Sequence, residues 1–265
     1  TRAMDPAADA RILDRLDQLA EAQAVTILYA CESGSRAWGF PSADSDYDVR
    51  VVYLHPRDWY LSVDLERHDD TIDQPVADAI DLHGWDLRKA LHLFSGTNPT
   101  LLDWLQSPVV YREHEAVLER WRSLIPTYYA PGAAGPAYRG MARSVAEQNL
   151  TGEHIAPKAY LYVLRALLAV RWIEQERGPV PVEFDRLLHA ARLSTDLRAA
   201  IEALVARKRA GLEDDAGPRL PTIHTFITDE LERQAALRFP KPAPRPVEPL
   251  NALFRTALAH ASSPP

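Results

Sequence analysis

Two stretches of the chain carry residues whose types and spacing could do chemistry: Ser33-Gly34-Ser35, and Asp44-Ser45-Asp46-Tyr47-Asp48-Val49. Side chains alternate across a strand, so Asp46 and Asp48 are expected on one face, with Tyr47 and Val49 turned into packing on the other. Two neighbouring carboxylates repel unless a proton or a cation stands between them. Magnesium prefers oxygen ligands, and a pair of such ions can clamp the attacking and leaving oxygens of an in-line phosphoryl displacement. Gly-Ser ahead of the acids adds a second element: glycine lets backbone approach a phosphate closely, and free N–H groups at a helix start favour anions. An isolated Asp-x-Asp is most often a solvated turn, and an isolated Gly-Ser is weaker still. The order strand, Gly-Ser turn, Asp-x-Asp strand is what singles this region out.

A third carboxylate is expected from a neighbouring strand. Asp81 is the preferred candidate, because it sits late in an alternating run between Ile80 and Leu82, where an acid needs a partner. Asp86 has a simpler reading as a helix cap, Asp78 as the outer face of a strand, and Asp44 as part of a turn. Arg50 continues the acid-bearing strand on the face of Asp48 and reads as a structural buffer for the acids. Arg36 follows the Gly-Ser turn, within reach of an acid or a phosphate. Arg88 and Lys89 read as a solvated helix face, and His83 and His92 as incidental.

The elements that must position these groups follow from periodicity. Ala8–Ala22 has helical spacing at Ile12, Leu13, Leu16 and Leu19. Val25–Tyr29 reads as a buried strand, Ser35–Trp38 as a short helix, Asp46–Tyr53 as a second strand and Val76–Leu82 as a third, with the charged stretch Glu66–Asp73 as a loop or helix end. Asp86 is placed to cap a helix Leu87–Phe94, which Asn98-Pro99 stops before a short turn at Leu101–Leu105. After about Tyr111 strand-like segments cease. Helices are expected at 115–124, 138–150, 158–176, 184–191, 196–210, 223–236 and 250–260. Ala130–Pro136 reads as an interdomain linker and the proline-rich 240–249 as an extended surface crossing. The expected division is 1–112 as a small α/β domain and 113–265 as an all-helical domain.

Within the helix at 158–176, Lys158, Tyr162 and Arg165 fall at i, i+4 and i+7 on one face. The remaining positions are apolar nearly all round, so cations there need anionic partners, water, or stems that snorkel along the helix.

Composition narrows the class. A formal net charge of −7 argues against a broad electrostatic grip on duplex nucleic acid, though it leaves room for a local basic channel. The single cysteine excludes an internal disulfide framework and cannot build a zinc site, which fits a reducing, cytoplasmic setting. No apolar run approaches a membrane span, and Thr1–Met4, read as an expression remnant before a native Met4, is given no structural meaning. A serine-hydrolase elbow and a Walker loop are both absent.

Glu32–Phe40 (ESGSRAWGF) followed by Ser45–Arg50 (SDYDVR) resembles the nucleotidyltransferases of the RlaP (YcgL) type, also described as the RNA repair pathway DNA polymerase beta family. Similar blocks occur at Asp81–Lys89, Asn98–Pro108 and Lys158–Arg165, so the resemblance spans most of the chain. It implies a polymerase-beta-like nucleotidyltransferase domain with a small mixed sheet and a helical second half. It also implies a phosphate loop at Gly34 and Ser35, and metal-binding aspartates at Asp46 and Asp48, with Asp81 as the third. The implied cofactor is Mg²⁺, with Mn²⁺ as substitute; the implied partner is a nucleoside triphosphate, ATP first, held by Gly34, Ser35, Arg36, Lys158, Tyr162 and Arg165. The expected reaction transfers a nucleoside monophosphate to a hydroxyl, an RNA end if the family name is a guide. Protein AMPylation and a non-catalytic nucleotide-binding module are the alternatives.

Overall fold

The computed structural model describes residues 5–212 and 216–261, so Thr1–Met4 lies outside the described residues. The chain divides into two compact units. One is made of the chain up to Gly34, of Asp46–Tyr128 and of the chain from Pro244 onward; the other is made of Ser35–Ser45 and Tyr129–Ala243. The sequence reading placed a single cut at 112/113. The chain instead passes between the compact units four times, because Ser35–Ser45 belongs with the helices and the last helix belongs with the sheet.

The first unit is built on a five-stranded sheet in the order β3-β4-β2-β1-β5. Its strands are β1 (Thr26–Glu32), β2 (Tyr47–Leu54), β3 (Thr71–Ala77), β4 (Ile80–Asp86) and β5 (Val110–Glu113). The β2–β4 pairing is parallel and the other pairings are antiparallel, so the sheet is mixed. Helix α1 (Pro6–Gln23) starts where Asp5 accepts a hydrogen bond from the Ala7 N–H at 3.0 Å, with Pro6 at the first helical position. Ile12, Leu16 and Leu19 of α1 pack with Val49, Val51, Tyr53, Ile80 and Leu82 in one buried cluster. Odd positions of β2 thus face α1, and period-2 alternation turns Asp48, Arg50 and Val52 to the other face.

The expected strand Val76–Leu82 is replaced by a hairpin. Asp78 and Ala79 both adopt positive φ (53° and 59°), the backbone a two-residue hairpin turn requires, and the alternation of VADAIDL continues across the turn rather than along one strand. The charged stretch to its N-terminal side correspondingly ends in β3. Strand β5, just where strands were expected to stop, pairs with β1; its four residues are too short for periodicity to show. Asp86 caps α3 (Leu87–Ser95), accepting from the Arg88 N–H at 2.7 Å, and Asn98 caps α4 (Pro99–Leu105), accepting from the Leu101 N–H at 3.0 Å. Helices α5 (Glu115–Ser123) and α12 (Glu248–Ala261) complete the unit.

The second unit is helical, with the short α2 (Gly34–Trp38) contributing its residues from Ser35 on. Its centre is α8 (Pro157–Glu174), buried nearly all round as its sequence requires, and flanked by α7 (Pro131–Asn149), α9 (Phe184–Ala190), α10 (Thr195–Arg209) and α11 (Pro221–Ala235). The expected linker Ala130–Pro136 is instead the first turns of α7. Its glycines serve close approach: a Cβ at Gly132 would lie 1.8 Å from the Pro240 carbonyl oxygen, and one at Gly135 would lie 2.3 Å from the Phe239 ring. The proline-rich segment has no regular structure as far as Val247, and its last two residues, Glu248 and Pro249, already belong to the first turn of α12.

Candidate active site

Gly34 and Asp46 are the two ends of the first unit's chain where residues 35–45 depart from it and return. Between them the sheet brings the predicted acids together in part. The parallel register pairs Asp48 directly with Asp81, so the two carboxylates rise side by side from neighbouring strands on the face away from α1. Of the three candidates for a third carboxylate, Asp81 is the one that the register sets beside Asp48. Asp78 lies exposed in the hairpin turn, and Asp86 is buried at the far end of β4 as a helix cap. Asp46 precedes β2 and is exposed.

Gly34 closes one side of the site. Its φ of +55° is left-handed, a region other L-residues avoid, and a Cβ there would fall 1.9 Å from Asp48 Oδ2. Only glycine permits this carboxylate to lie against the turn. The Ser33 N–H donates to the Asp48 carbonyl at 2.8 Å, and the Asp48 N–H donates to Glu32 Oε1 at 2.8 Å. Glu32 is itself buried at the end of β1, and its second oxygen accepts from the Tyr111 hydroxyl. Glu32 therefore fixes the backbone of the acid strand. Motif spacing does not single out Glu32; the signal for it is an acid directly continuing the buried apolar run of β1.

Arg50 does what its position on the strand suggests. One guanidinium nitrogen, Nη2, donates to Asp48 Oδ1 at 2.9 Å and to Asp81 Oδ2 at 2.8 Å; Nη1 donates to the carbonyls of Asp81 (3.1 Å) and Val49 (3.2 Å). A magnesium site asks for hard oxygens converging on one point, and the donor types are right. The arrangement is not: a guanidinium bridges Asp48 and Asp81, and among the described residues no group of three or more His, Cys, Asp or Glu side chains could hold a metal ion.

The remaining predicted residues belong to the second unit. The Ser35 carbonyl accepts from the Gly39 and Phe40 N–H groups, and Arg36 donates to the Ser45 carbonyl at 2.6 Å. Lys158 and Tyr162 are the exposed pair on α8 among otherwise buried neighbours, with the Tyr162 ring edge-on to Trp38 at 4.8 Å. Arg165 is 3% exposed; it contacts the Val182 carbonyl at 3.3 Å and lies 4.6 Å from the centre of the Trp38 ring. The common face read from spacing thus splits into two outward residues and one inward.

A separate cleft of about 610 Å³ opens at the other end of the β2–β4 pair, lined by Trp59, His68, Asp86, Arg88, Lys89 and Phe254 among others. Burial raises the Asp86 pKa there, against the hydrogen bond from the Tyr60 hydroxyl at 2.5 Å. Five residues separate Asp81 from Asp86 along β4, about 17 Å of strand. Volume alone therefore points away from the paired acids.

Comparison with known proteins bears on the family of the chain. The family described as the RNA repair pathway DNA polymerase beta family matches residues 8–256. The chain belongs to this family. A relative from Bacillus subtilis (strain 168), named only as the uncharacterized protein YcgL, is 44% identical over 223 residues, covering 84% of this chain and 85% of its own length. The crystal structure of a nucleotidyltransferase-like protein from Exiguobacterium sibiricum 255-15 aligns over 92% of this chain and 88% of its own, at 11% identity and a TM-score of 0.31. A five-stranded mixed sheet in one unit and helices in the other fit the DNA polymerase beta family that the description names. No helix among the described residues is long and apolar enough to cross a membrane.

Proposed function

We propose that this member of the RNA repair pathway DNA polymerase beta family is a nucleotidyltransferase acting through Asp46, Asp48 and Asp81. One observation carries the reading: Gly34, held at positive φ, admits the Asp48 carboxylate against its Cα, and the in-register Asp81 stands beside it. The glycine turn and the acids, far weaker as separate motifs, meet at one place. In the proposed reaction an acceptor hydroxyl attacks the α-phosphorus of a nucleoside triphosphate, ATP first. The bond to the β-phosphate oxygen breaks, pyrophosphate leaves, and one of the aspartates takes the hydroxyl proton. Positioning and charge stabilisation carry such transfers, so no covalent enzyme nucleophile is needed. Magnesium, or manganese in its place, is the cation this reading calls for, while Asp48 and Asp81 as they stand are bridged by Arg50. In the second unit, the exposed Lys158 and Tyr162 are proposed to meet a phosphate and a ring of a nucleotide. The acceptor proposed first is an RNA 3′ end; a protein hydroxyl, giving AMPylation, is the competing acceptor.

The Arg50 bridge also favours a second reading, a non-catalytic nucleotide-binding module whose acids are already neutralised. The two readings part on label transfer. Full-length protein is incubated with Mg²⁺ or Mn²⁺, each α-labelled triphosphate, and RNA or protein acceptors, beside Asp46→Ala and Asp48→Ala. Transfer with pyrophosphate release, lost in both variants, is the expected result. Nucleotide binding without release over the whole panel would establish the module instead.

A further inference from the structure

We propose that Arg50 is the resident cation of the Asp48–Asp81 pair, and that a divalent ion enters this site only in exchange for its guanidinium. The inference rests on the nucleotidyltransfer reading for the identity of the incoming ion, and on the geometry of this unit for everything else. Two carboxylates in direct register on parallel strands repel each other unless a positive charge stands between them. The chain supplies that charge from two residues along the same strand and the same face. The guanidinium does more than lie nearby. It spans both acids through one nitrogen and is anchored through the other to the carbonyls of Asp81 and Val49, and its side chain is only 16% exposed.

The planar fork is what allows four acceptors to be served by one cation, and a lysine ammonium could not reach them in the same way. A metal ion seeking Asp48 Oδ1 and Asp81 Oδ2 would meet the oxygens Arg50 already holds. Two positive charges at one pair of carboxylates repel, so binding of one weakens binding of the other, and by linkage the effect is mutual. The arrangement has a structural use as well: with Arg50 in place the acids keep their positions when no metal is bound. The disagreement between an acid set suited to magnesium and a structure in which those acids do not converge on a metal position is thereby accounted for by one residue of this chain.

The test is a Mn²⁺ titration of full-length protein, read from the electron paramagnetic resonance of free Mn²⁺, on wild type, Arg50→Met, Arg50→Lys and Arg50→Met/Asp48→Asn. Arg50→Met should bind Mn²⁺ at least about tenfold more tightly than wild type, given the strength of close charge pairs. Its metal-free melting temperature should fall below wild type and recover on adding Mn²⁺. Arg50→Lys, which keeps the charge and loses the fork, should lie between the two, and it decides the matter on the same terms if Arg50→Met does not fold. The gain should vanish in the double variant. Equal or weaker Mn²⁺ binding by the Arg50 variants, including no binding by any of them, would overturn the exchange and leave Arg50 a permanent brace. Label transfer by wild type is scored separately. Transfer without tightened binding sinks this inference alone, and tightened binding without transfer sinks the functional reading alone.

Discussion

Each unit holds a cluster of carboxylates and arginines, and the two clusters are built to opposite ends. In the first, Asp48 and Asp81, with side chains 28% and 35% exposed, are bridged by Arg50. In the second, the Glu230 side chain is 3% exposed and gripped by Arg171 through both nitrogens (2.8 and 2.6 Å) and by Arg233, which also pairs with Glu174. There the charges balance and every partner is fixed. The second network, buried at Glu230 and partly exposed at Arg233, holds helices α8 and α11 together, whereas the first stands half-open beside the Gly34 turn.

The contrast is tested most sharply by removing one charge from each cluster. Asp48→Asn should cut nucleotidyl transfer by about a hundredfold or more. It should leave stability within about 0.5 kcal/mol, because Arg50 still pairs with Asp81. Activity assay and thermal melts on the same preparation check both halves. Glu230→Gln should do the reverse. It leaves Arg171 and Arg233 facing each other without their shared acid and should cost about 3 kcal/mol in denaturant unfolding, while any transfer that survives purification keeps its rate.

A smaller effect is expected at the turn. Gly34→Ala forces alanine into left-handed backbone, at about 1–2 kcal/mol, and pushes the Asp48 carboxylate from its place. It should therefore lower both stability and transfer, unlike either charge variant. Smallest in range is an acid effect confined to the second cluster. Burial raises the Glu230 pKa but the Arg171 and Arg233 hydrogen bonds outweigh it, bringing it down to about 2 from the ordinary 4.5. A carboxylate whose folded pKa is depressed adds stability above its unfolded pKa and loses it as pH falls toward the folded one. Stability should thus drop as pH falls from about 4.5 toward 2, and Glu230→Gln should flatten that part of the curve. An unchanged slope in the variant would assign the acid sensitivity to other carboxylates.

What the sequence determined by itself was local and periodic. The helix starts at Asp86 and Asn98, the burial of α8, the shared face of Asp48 and Arg50, and the Gly-Ser and Asp-x-Asp motifs all follow from rules spanning a few residues. The hairpin at Asp78-Ala79 escaped, because alternation has the same period on both sides of a tight turn and Asp78, a common turn residue, is followed by alanine where a glycine usually marks such a turn. The glycines at 132 and 135 misled in the other direction, since composition cannot tell a flexible linker from a helix that another segment must approach. The chain's own pattern prefers Asp81 as the acid beside Asp48 without placing it there: the parallel pairing of β2 with β4, a contact between residues 33 apart, does so, and leaves Asp78 in the hairpin turn and Asp86 at the far end of β4. That Arg165 turns inward while Lys158 and Tyr162 face outward was likewise set by what packs around α8. Short-range order is written into each segment's own residues, while register and burial are properties of pairs of segments, and only the folded chain brings those pairs together.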